Sequence, residues 1–190
     1  MCKMKITAVT SRRLCPDFFK RLKELSELEI PTVLREKDLG EAEYFELCKK
    51  AAEISDTIIP HTYISAAREL SIKKIHLPLH ILETADVSGF DTVGASVHSP
   101  GEAKKAEALG ATYIIAGHIF ETDCKRGAPP RGLDFLKAVC GAVNLPVFAI
   151  GGISPQNAPS VINAGAAGVC VMSSFMKAES AAELYKQFMI

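Results

Sequence analysis

PVFAIGGISPQNAPSVINAGAAGVCVMSS, at residues 146–174, is the stretch of sequence that decides the fold. It contains a short apolar strand (Pro146–Ile150), a helix (Ser154–Ala164) that stops before Gly165, and a second apolar strand (Gly168–Met172). Nearly continuous apolar runs are typical of parallel strands that are buried on both faces. A strand, a helix and a strand in this order therefore predict a parallel βαβ unit.

The same alternation covers the rest of the chain. Six more strands are predicted over Met4–Thr10, Pro31–Arg35, Asp56–Pro60, Lys74–Leu77, Thr92–Val97 and Tyr113–Phe120. Further helices are predicted over Pro16–Glu29, Gly40–Ile54, Ser65–Leu70, Ser99–Leu109, Leu133–Ala142 and Ala181–Met189, while Pro78–Gly89 is left unassigned. Eight strands that alternate with seven helices and this unassigned segment predict an α/β protein with a compact (β/α)8 TIM barrel. An open doubly wound sheet is the alternative, but the first strand–helix turn, Thr10–Pro16, lacks its glycine fingerprint.

Length and composition limit the class of protein. The chain has 190 residues, 48% of them hydrophobic and 23% charged, which predicts a single globular domain over residues 1–190. Lys and Arg number 22, as do Asp and Glu, so the net charge of zero disfavours nucleic-acid binding. We find no apolar run long enough to cross a membrane and no hydrophobic signal region over Met1–Arg13, so a cytoplasmic location is expected.

The cysteines do not predict a metal site or a disulfide framework. Six are scattered along the chain without a C-x-x-C pair, at positions 2, 15, 48, 124, 140 and 170. Without an export signal they are expected to be reduced, and Cys140 and Cys170 stand in apolar runs where a thiol packs as a small hydrophobe.

The predicted carboxyl ends of the strands are unusually polar, and in a barrel these ends form the active site. Gly151-Gly152 and Ser173-Ser174 follow the last two strands. Glycines let backbone N–H groups approach an anion, and a short helix from Ser174 would add its dipole. These two neighbouring strand ends predict a phosphate-binding site.

Other strand ends offer cations and a proton carrier. Arg35 and Lys37 alternate with Glu36, so both cations can face the same side of an extended chain and form a second anion site. His118, at the end of the sixth strand, suits proton transfer near neutral pH. For His98, a local hydrogen bond and a role in ligand binding are both left as options. His76 and His80 are expected in structural or surface positions.

Residues 117–132, GHIFETDCKRGAPPRG, form the longest polar loop. We expect Thr122 and Lys125 to close over a bound phosphate ester. Cys124 stands beside two cations that would lower a thiol pKa, but no base or oxyanion site accompanies it, so a catalytic role is disfavoured.

These motifs together resemble the thiamin phosphate synthase and thiazole tautomerase superfamily over essentially the whole chain. The matching pieces are Leu34–Lys37, Gly94–Ser99, Gly117–Lys125, Ala149–Ile153 and Gly168–Ser173. The synthases couple a pyrimidine diphosphate to a thiazole phosphate with Mg²⁺, which needs carboxylate ligands. The resemblance places two of these acids in a Gly-Gln-Asp-Asp-like stretch after the fourth strand, where this chain has His76-Leu77-Pro78-Leu79-His80. It places another acid just before the fifth strand, where this chain has Phe90, with Asp91 one residue out of place.

The strand-six sequence is instead similar to the tautomerase branch, which is TenI-like. That resemblance implies aromatisation of a carboxythiazole phosphate tautomer by His118, without cofactor or metal. It implies substrate binding by Arg35, Lys37, Ser96, Thr122, Lys125, Gly151, Gly152, Ser173 and Ser174. A homo-oligomer and transfer of the product to thiamin phosphate synthase are left open.

Besides another phosphate-binding barrel isomerase, from which the strand-six motif separates this chain, two alternatives remain. One is a Mg²⁺-dependent thiamin phosphate synthase with rearranged metal ligands, since Arg35, Lys37, Thr122 and Lys125 suit a diphosphate. The other is a non-catalytic regulatory protein that kept the phosphate pocket.

Overall fold

A computed structural model describes residues 4–189 of the chain as eight strands surrounded by helices. The strands are β1 (Lys5–Val9), β2 (Thr32–Leu34), β3 (Ile58–Pro60), β4 (Lys74–Pro78), β5 (Thr92–Val97), β6 (Tyr113–Gly117), β7 (Val147–Ile150) and β8 (Gly168–Val171). The helices are α1 (Phe18–Glu27), α2 (Glu41–Ile54), α3 (Ile64–Glu69), α4 (Leu79–Leu82), α5 (Pro100–Ala108), α6 (Gly132–Cys140), α7 (Ala158–Asn163), α8 (Ser173–Lys177) and α9 (Ala181–Phe188). Single-turn 3-10 helices cover Arg12–Leu14 and Asp123–Lys125.

All eight strands lie in one parallel sheet, in the order β3-β2-β1-β8-β7-β6-β5-β4. The two outer strands of this order meet through a parallel bridge between His61 and His76. The backbone N–H of Thr62 also donates to the carbonyl oxygen of His76 at 3.1 Å. The sheet therefore curls into a nearly closed barrel, which confirms the (β/α)8 prediction and excludes the open sheet.

Two apolar clusters stabilise the barrel. The smaller one fills the inside and consists of Val9, Val33, Ile59, Tyr113, Ile115 and Cys170, with Phe148, Ile150 and Met172 packed against it. The larger one includes residues from the other faces of the strands and from the helices around them. Because successive side chains of a strand point to opposite faces, strands with apolar residues at every position supply both clusters.

Helix starts follow the capping residues of the sequence. The Ser99 hydroxyl accepts from the N–H of Glu102 at 3.1 Å and Pro100 occupies the first turn, so α5 begins where the sequence predicts. Asp17 caps α1 in the same way. The sequence predicts one apolar face of this helix, with Phe18, Phe19, Leu22, Leu25 and Leu28. Four of these face the core, but Phe19 is 39% exposed, so its place on that face was wrong.

Most element ends differ from the prediction by one or two residues, and the end of β6 and the start of α7 differ by more. β6 ends at Gly117 and not at Phe120, because the N–H of Ile119 leaves the ladder and donates to Ile150 at 2.9 Å. α7 begins only at Ala158, since Asn157 accepts from the N–H of Ser154 in a preceding turn. The unassigned segment after β4 contains the single turn α4.

Two further expectations concern the cysteines and membrane-spanning segments. Cys15, Cys48, Cys124, Cys140 and Cys170 are free thiols, whereas Cys2 lies outside the described residues. Among residues 4–189 there is no helix with the length and apolar character that crossing a bilayer requires.

Candidate active site

A cavity of 1490 Å³ opens at the carboxyl ends of the strands. Every site residue predicted from the sequence lines it: Arg35, Lys37, Ser96, His118, Thr122, Lys125, Gly151, Gly152, Ser173 and Ser174. These residues come from β5, the start of α8 and the loops after β2, β6 and β7, so only the closed barrel brings them together. Their catalytic and binding roles stay predictions.

Arg35 and Lys37 face the cavity from the end of β2, while the intervening Glu36 is buried. Burial lowers the pKa of Arg35. The pKa of Lys37 is lowered first by the charge of Arg35, then by burial and by the charge of Lys125. Mutual repulsion among three cations means that an anion bound between them would be stabilised by all three.

Glu36 fixes the position of this cation pair from the other side of the chain. Its carboxylate accepts from the Thr10 hydroxyl at 2.6 Å and from the backbone N–H of Arg12 at 3.0 and 3.1 Å. Thr10 in turn accepts from the backbone N–H of Arg35 at 2.9 Å. The alternation Arg35-Glu36-Lys37 thus places one anchor inward and two cations at the cavity.

The chain leaves β7 and β8 in tight conformations beside the cavity. Gly151 has φ +101° and Gly152 has φ +65°, a region that side chains disfavour. A Cβ on Gly152 would lie 2.4 Å from the carbonyl oxygen of Glu121. Ser173 and Ser174 form the first turn of α8, where the N–H groups lack intrahelical acceptors. These exits have the free donors and the close backbone approach that a phosphate needs.

His118 lies directly after β6 and is half-buried in the cavity wall. Its Nε2 is 3.3 Å from the carbonyl oxygen of Ala128. Since a carbonyl oxygen only accepts hydrogen bonds, Nε2 carries the proton and Nδ1 is the free acceptor of the neutral ring. His118 therefore combines exposure to the cavity with a fixed tautomer.

His98 contacts the residue that precedes this histidine. Its Nδ1 donates to the carbonyl oxygen of Gly117 at 2.9 Å, and its backbone N–H donates to Glu102 at 2.6 Å. The local hydrogen bond that the sequence allowed is therefore present, and His98 also lines the cavity. It ties the end of β5 to the end of β6 beside His118.

The loop after β6 forms one rim of the cavity. Thr122 and Lys125 both line it, as expected, and the Cys124 thiol is exposed beside them. Arg126 forms an ion pair with Asp123 at 2.9 Å. Lys125 is the cation of this loop whose charge lowers the pKa of Lys37.

Histidines form a polar floor of the cavity. His76 was expected in a structural or surface position, and the structure shows the first of these: its ring is buried at 1% exposure inside the barrel and lines the cavity together with His61. Burial lowers the pKa of His76 to about 3 and that of His61 to about 2, so both rings are neutral. The available signal was a histidine within the apolar strand Lys74–Leu77, but the sequence did not indicate which face of the strand turns inward.

The donor groups of the cavity do not fit the Mg²⁺ ion that the coupling reaction of the superfamily implies. Glu83 pairs with Lys105 at 2.8 Å, Glu102 accepts from His98, and Asp123 pairs with Arg126. Asp91 lies at the amino-terminal start of β5, away from the cavity mouth. Within the described part of the chain, we find no group of three or more His, Cys, Asp and Glu side chains that could hold a metal ion.

Comparisons with known proteins identify relatives over nearly the full length. A family model described as thiamine monophosphate synthase (TMP-TENI) matches residues 6–175. The thiamine-phosphate synthase of Clostridium acetobutylicum is 31% identical over 186 residues, covering 92% of this chain and 88% of the relative. That of Pyrococcus abyssi is 30% identical over 185 residues, covering 93% and 88%. A solved thiamine phosphate pyrophosphorylase from Pyrococcus furiosus superposes with a TM-score of 0.82 at 28% identity, covering 97% of this chain and 93% of that one.

Proposed function

Because this chain belongs to the thiamine monophosphate synthase (TMP-TENI) family of thiamin-biosynthesis enzymes, we propose a specific role within it: a metal-independent thiazole tautomerase. The substrate is the non-aromatic tautomer of a carboxythiazole phosphate, and the product is its aromatic form. The observation that carries this proposal is His118, a histidine with a free ring nitrogen in the wall of a cationic cavity.

Tautomerisation requires the removal of one ring proton and the delivery of a proton elsewhere on the same molecule. Nδ1 of the neutral His118 ring accepts the first proton, and the resulting imidazolium returns a proton to the second position. Electrons move only within the substrate, so the reaction needs no redox partner.

Anion binding orients the substrate for this transfer. The exits of β7 and β8, with Gly151, Gly152, Ser173 and Ser174, bind the phosphate, and Thr122 and Lys125 close over it. Arg35 and Lys37 bind the carboxylate. Their positive charge also stabilises the electron density that the ring gains when it loses a proton.

Thiamin phosphate synthesis is the second candidate, and the names of the relatives favour it over tautomerisation. The cation group formed by Arg35, Lys37 and Lys125 also suits a diphosphate. Against it stands the donor set of the cavity: Glu83, Glu102 and Asp123 are engaged by cations or a backbone N–H, and among the described residues no three His, Cys, Asp or Glu side chains are grouped for a metal ion.

Two assays on the purified protein distinguish these candidates. The first follows the ultraviolet absorbance of the aromatic ring as the non-aromatic carboxythiazole phosphate is converted in the presence of EDTA. The second measures thiamin phosphate formed from the pyrimidine diphosphate and thiazole phosphate with Mg²⁺. We expect fast conversion in the first assay and none in the second. The reverse result would establish the synthase, and inactivity in both would leave a ligand-binding protein.

A further inference from the structure

A chain of three polar side chains crosses the inside of the barrel beneath the cavity. Nδ1 of His76 is 3.0 Å from the Tyr113 hydroxyl oxygen, and Nε2 is 2.8 Å from the Ser96 hydroxyl oxygen. Ser96 and His76 line the cavity, whereas Tyr113 is part of the barrel core. Hydrogen bonds therefore connect a tyrosine in the core to a serine at the cavity.

Gly94 on β5 makes room for this chain of side chains. A Cβ at this position would lie 2.2 Å from Cζ of Tyr113 and 2.3 Å from Nδ1 of His76. Such distances are far below van der Waals contact, so any larger residue would separate the hydroxyl from the imidazole. The tyrosine–histidine hydrogen bond thus depends on a glycine in the neighbouring strand.

The direction of these hydrogen bonds follows from the hydroxyl of Tyr113. It is buried, and within residues 4–189 its hydrogen-bond partner is Nδ1 of His76. A buried O–H without an acceptor is strongly unfavourable, so the phenol donates its proton to Nδ1. In the neutral ring the proton of His76 then resides on Nε2, and Nε2–H donates to the oxygen of Ser96.

Ser96 consequently has its own hydroxyl proton free for another partner. We infer that Tyr113 and His76 are positioning residues that hold Ser96 as a hydrogen-bond donor towards the cavity. The substrate atom bound there is an acceptor, such as the thiazole ring nitrogen or a carboxylate oxygen. The identity of that substrate rests on the proposed function, whereas the orientation of Ser96 does not.

The tautomer of His76 is measured directly by ¹⁵N NMR of the full chain at neutral pH. The inference predicts a single neutral form with its proton on Nε2 in the parent protein. In Tyr113→Phe, where the donor to Nδ1 is lost, a mixture of tautomers is expected. A parent protein with the proton on Nδ1 would overturn the inference, because Ser96 would then have to donate to His76.

Affinity for the aromatic carboxythiazole phosphate, measured by calorimetry, tests the effect on binding. Ser96→Ala and Tyr113→Phe should each weaken binding about 3- to 10-fold, which corresponds to the usual contribution of one hydrogen bond to the free energy of binding. The double variant should bind no more weakly than Ser96→Ala alone, because Tyr113 acts through Ser96.

Tyr63→Phe is the matched control. The Tyr63 hydroxyl donates to the carbonyl oxygen of Leu39 at 2.9 Å, outside the cavity lining, so its loss should affect stability but not affinity. Additive losses in the double variant, or unchanged affinity in Ser96→Ala, would contradict the inference. Failure of the parent protein to bind the carboxythiazole phosphate would refute the proposed function, and the NMR result would still decide the orientation of Ser96.

Discussion

Glu36 is the residue on which the cation pair of the cavity most depends. Its buried carboxylate accepts three hydrogen bonds, from the Thr10 hydroxyl and the N–H of Arg12, and pairs with the Arg12 guanidinium at 3.5 Å. The sequence predicted that Arg35 and Lys37 would share one side, because alternation along an extended chain dictates it. It did not predict the buried partners of Glu36, since these come from a different strand.

Replacing Glu36 with alanine should therefore destabilise the protein by about 2 kcal/mol or more, because the Thr10 hydroxyl and the N–H of Arg12 lose their acceptor. Urea denaturation measures this loss. Glu53→Ala, on the exposed side of α2, is the control and should change the free energy of unfolding little. Equal stability of the two variants would contradict the role assigned to Glu36.

His76 shows the limit of prediction at the scale of single residues. In a parallel strand both faces are apolar, so the period of the sequence does not distinguish the barrel interior from the helix-covered face. A structural and a surface position for this histidine were therefore both open, and the structure places its ring inside the barrel. Only the register of β4 against β5, which pairs His76 with Gly94, determines its neighbours.

At the scale of elements, the prediction was accurate for regular strands and helices and weaker at their ends. Every predicted strand is present, because apolar runs and caps are local signals. The end of β6 was placed three residues too late, since Ile119 is as apolar and as buried as the strand before it. Its hydrogen bond to the exit of β7 is a tertiary feature that the local sequence does not indicate.

The exit of β7 is in direct contact with the proposed proton carrier. A Cβ on Gly151 would lie 2.3 Å from Cβ of His118 and 2.8 Å from its Cα. Gly151→Ala should therefore displace the histidine and lower kcat about tenfold or more, as small displacements of catalytic groups do. Steady-state kinetics of the tautomerase reaction gives this value.

Gly89→Ala provides the matched control for that variant. Gly89 also has a positive φ, of +82°, but a Cβ there meets no atom within 4 Å. It should show the backbone strain of about 1 kcal/mol without loss of kcat. A Gly151→Ala enzyme with the kcat of the parent would show that the β7 exit does not set the position of His118.

At the scale of the whole molecule, the stability should depend on pH through the histidines that close the barrel. Burial, with the nearby charge of Arg35, keeps the folded-state pKa of His76 at about 3. Burial also lowers the folded-state pKa of His61, with smaller contributions from the charges of His76, Arg35 and Lys37. An unfolded histidine has a pKa of about 6.5, so below that pH the unfolded state binds protons that the folded state does not.

The free energy of unfolding should therefore fall as the pH is lowered from 7 to 5, by about 2 kcal/mol for each of the two histidines at pH 5. Urea denaturation across this range tests the prediction, above the pH at which most carboxylates titrate. His80→Gln, which alters an exposed ring, should keep the same slope. A free energy of unfolding that does not change between pH 7 and 5 would contradict this prediction, because the two histidines would then bind protons equally well in the folded and the unfolded protein.

The whole-molecule prediction succeeded because eight repeats of one pattern determine the topology. Closure of the barrel then explains why site residues from distant parts of the chain line one cavity. The chemistry of that cavity depends on fewer features: a histidine after β6, a group of cations, and carboxylates that are not arranged for Mg²⁺. The central claim is that this histidine transfers the proton.

Comparison of His118→Asn with the parent protein tests that claim most directly, with kcat measured in EDTA and affinity for the aromatic product measured alongside. Asparagine keeps a polar amide at this position, but it cannot carry the proton. We predict a loss of kcat of about 10²-fold or more with affinity retained, as expected when a general acid–base group is removed. A variant that converts the tautomer as fast as the parent would contradict the account.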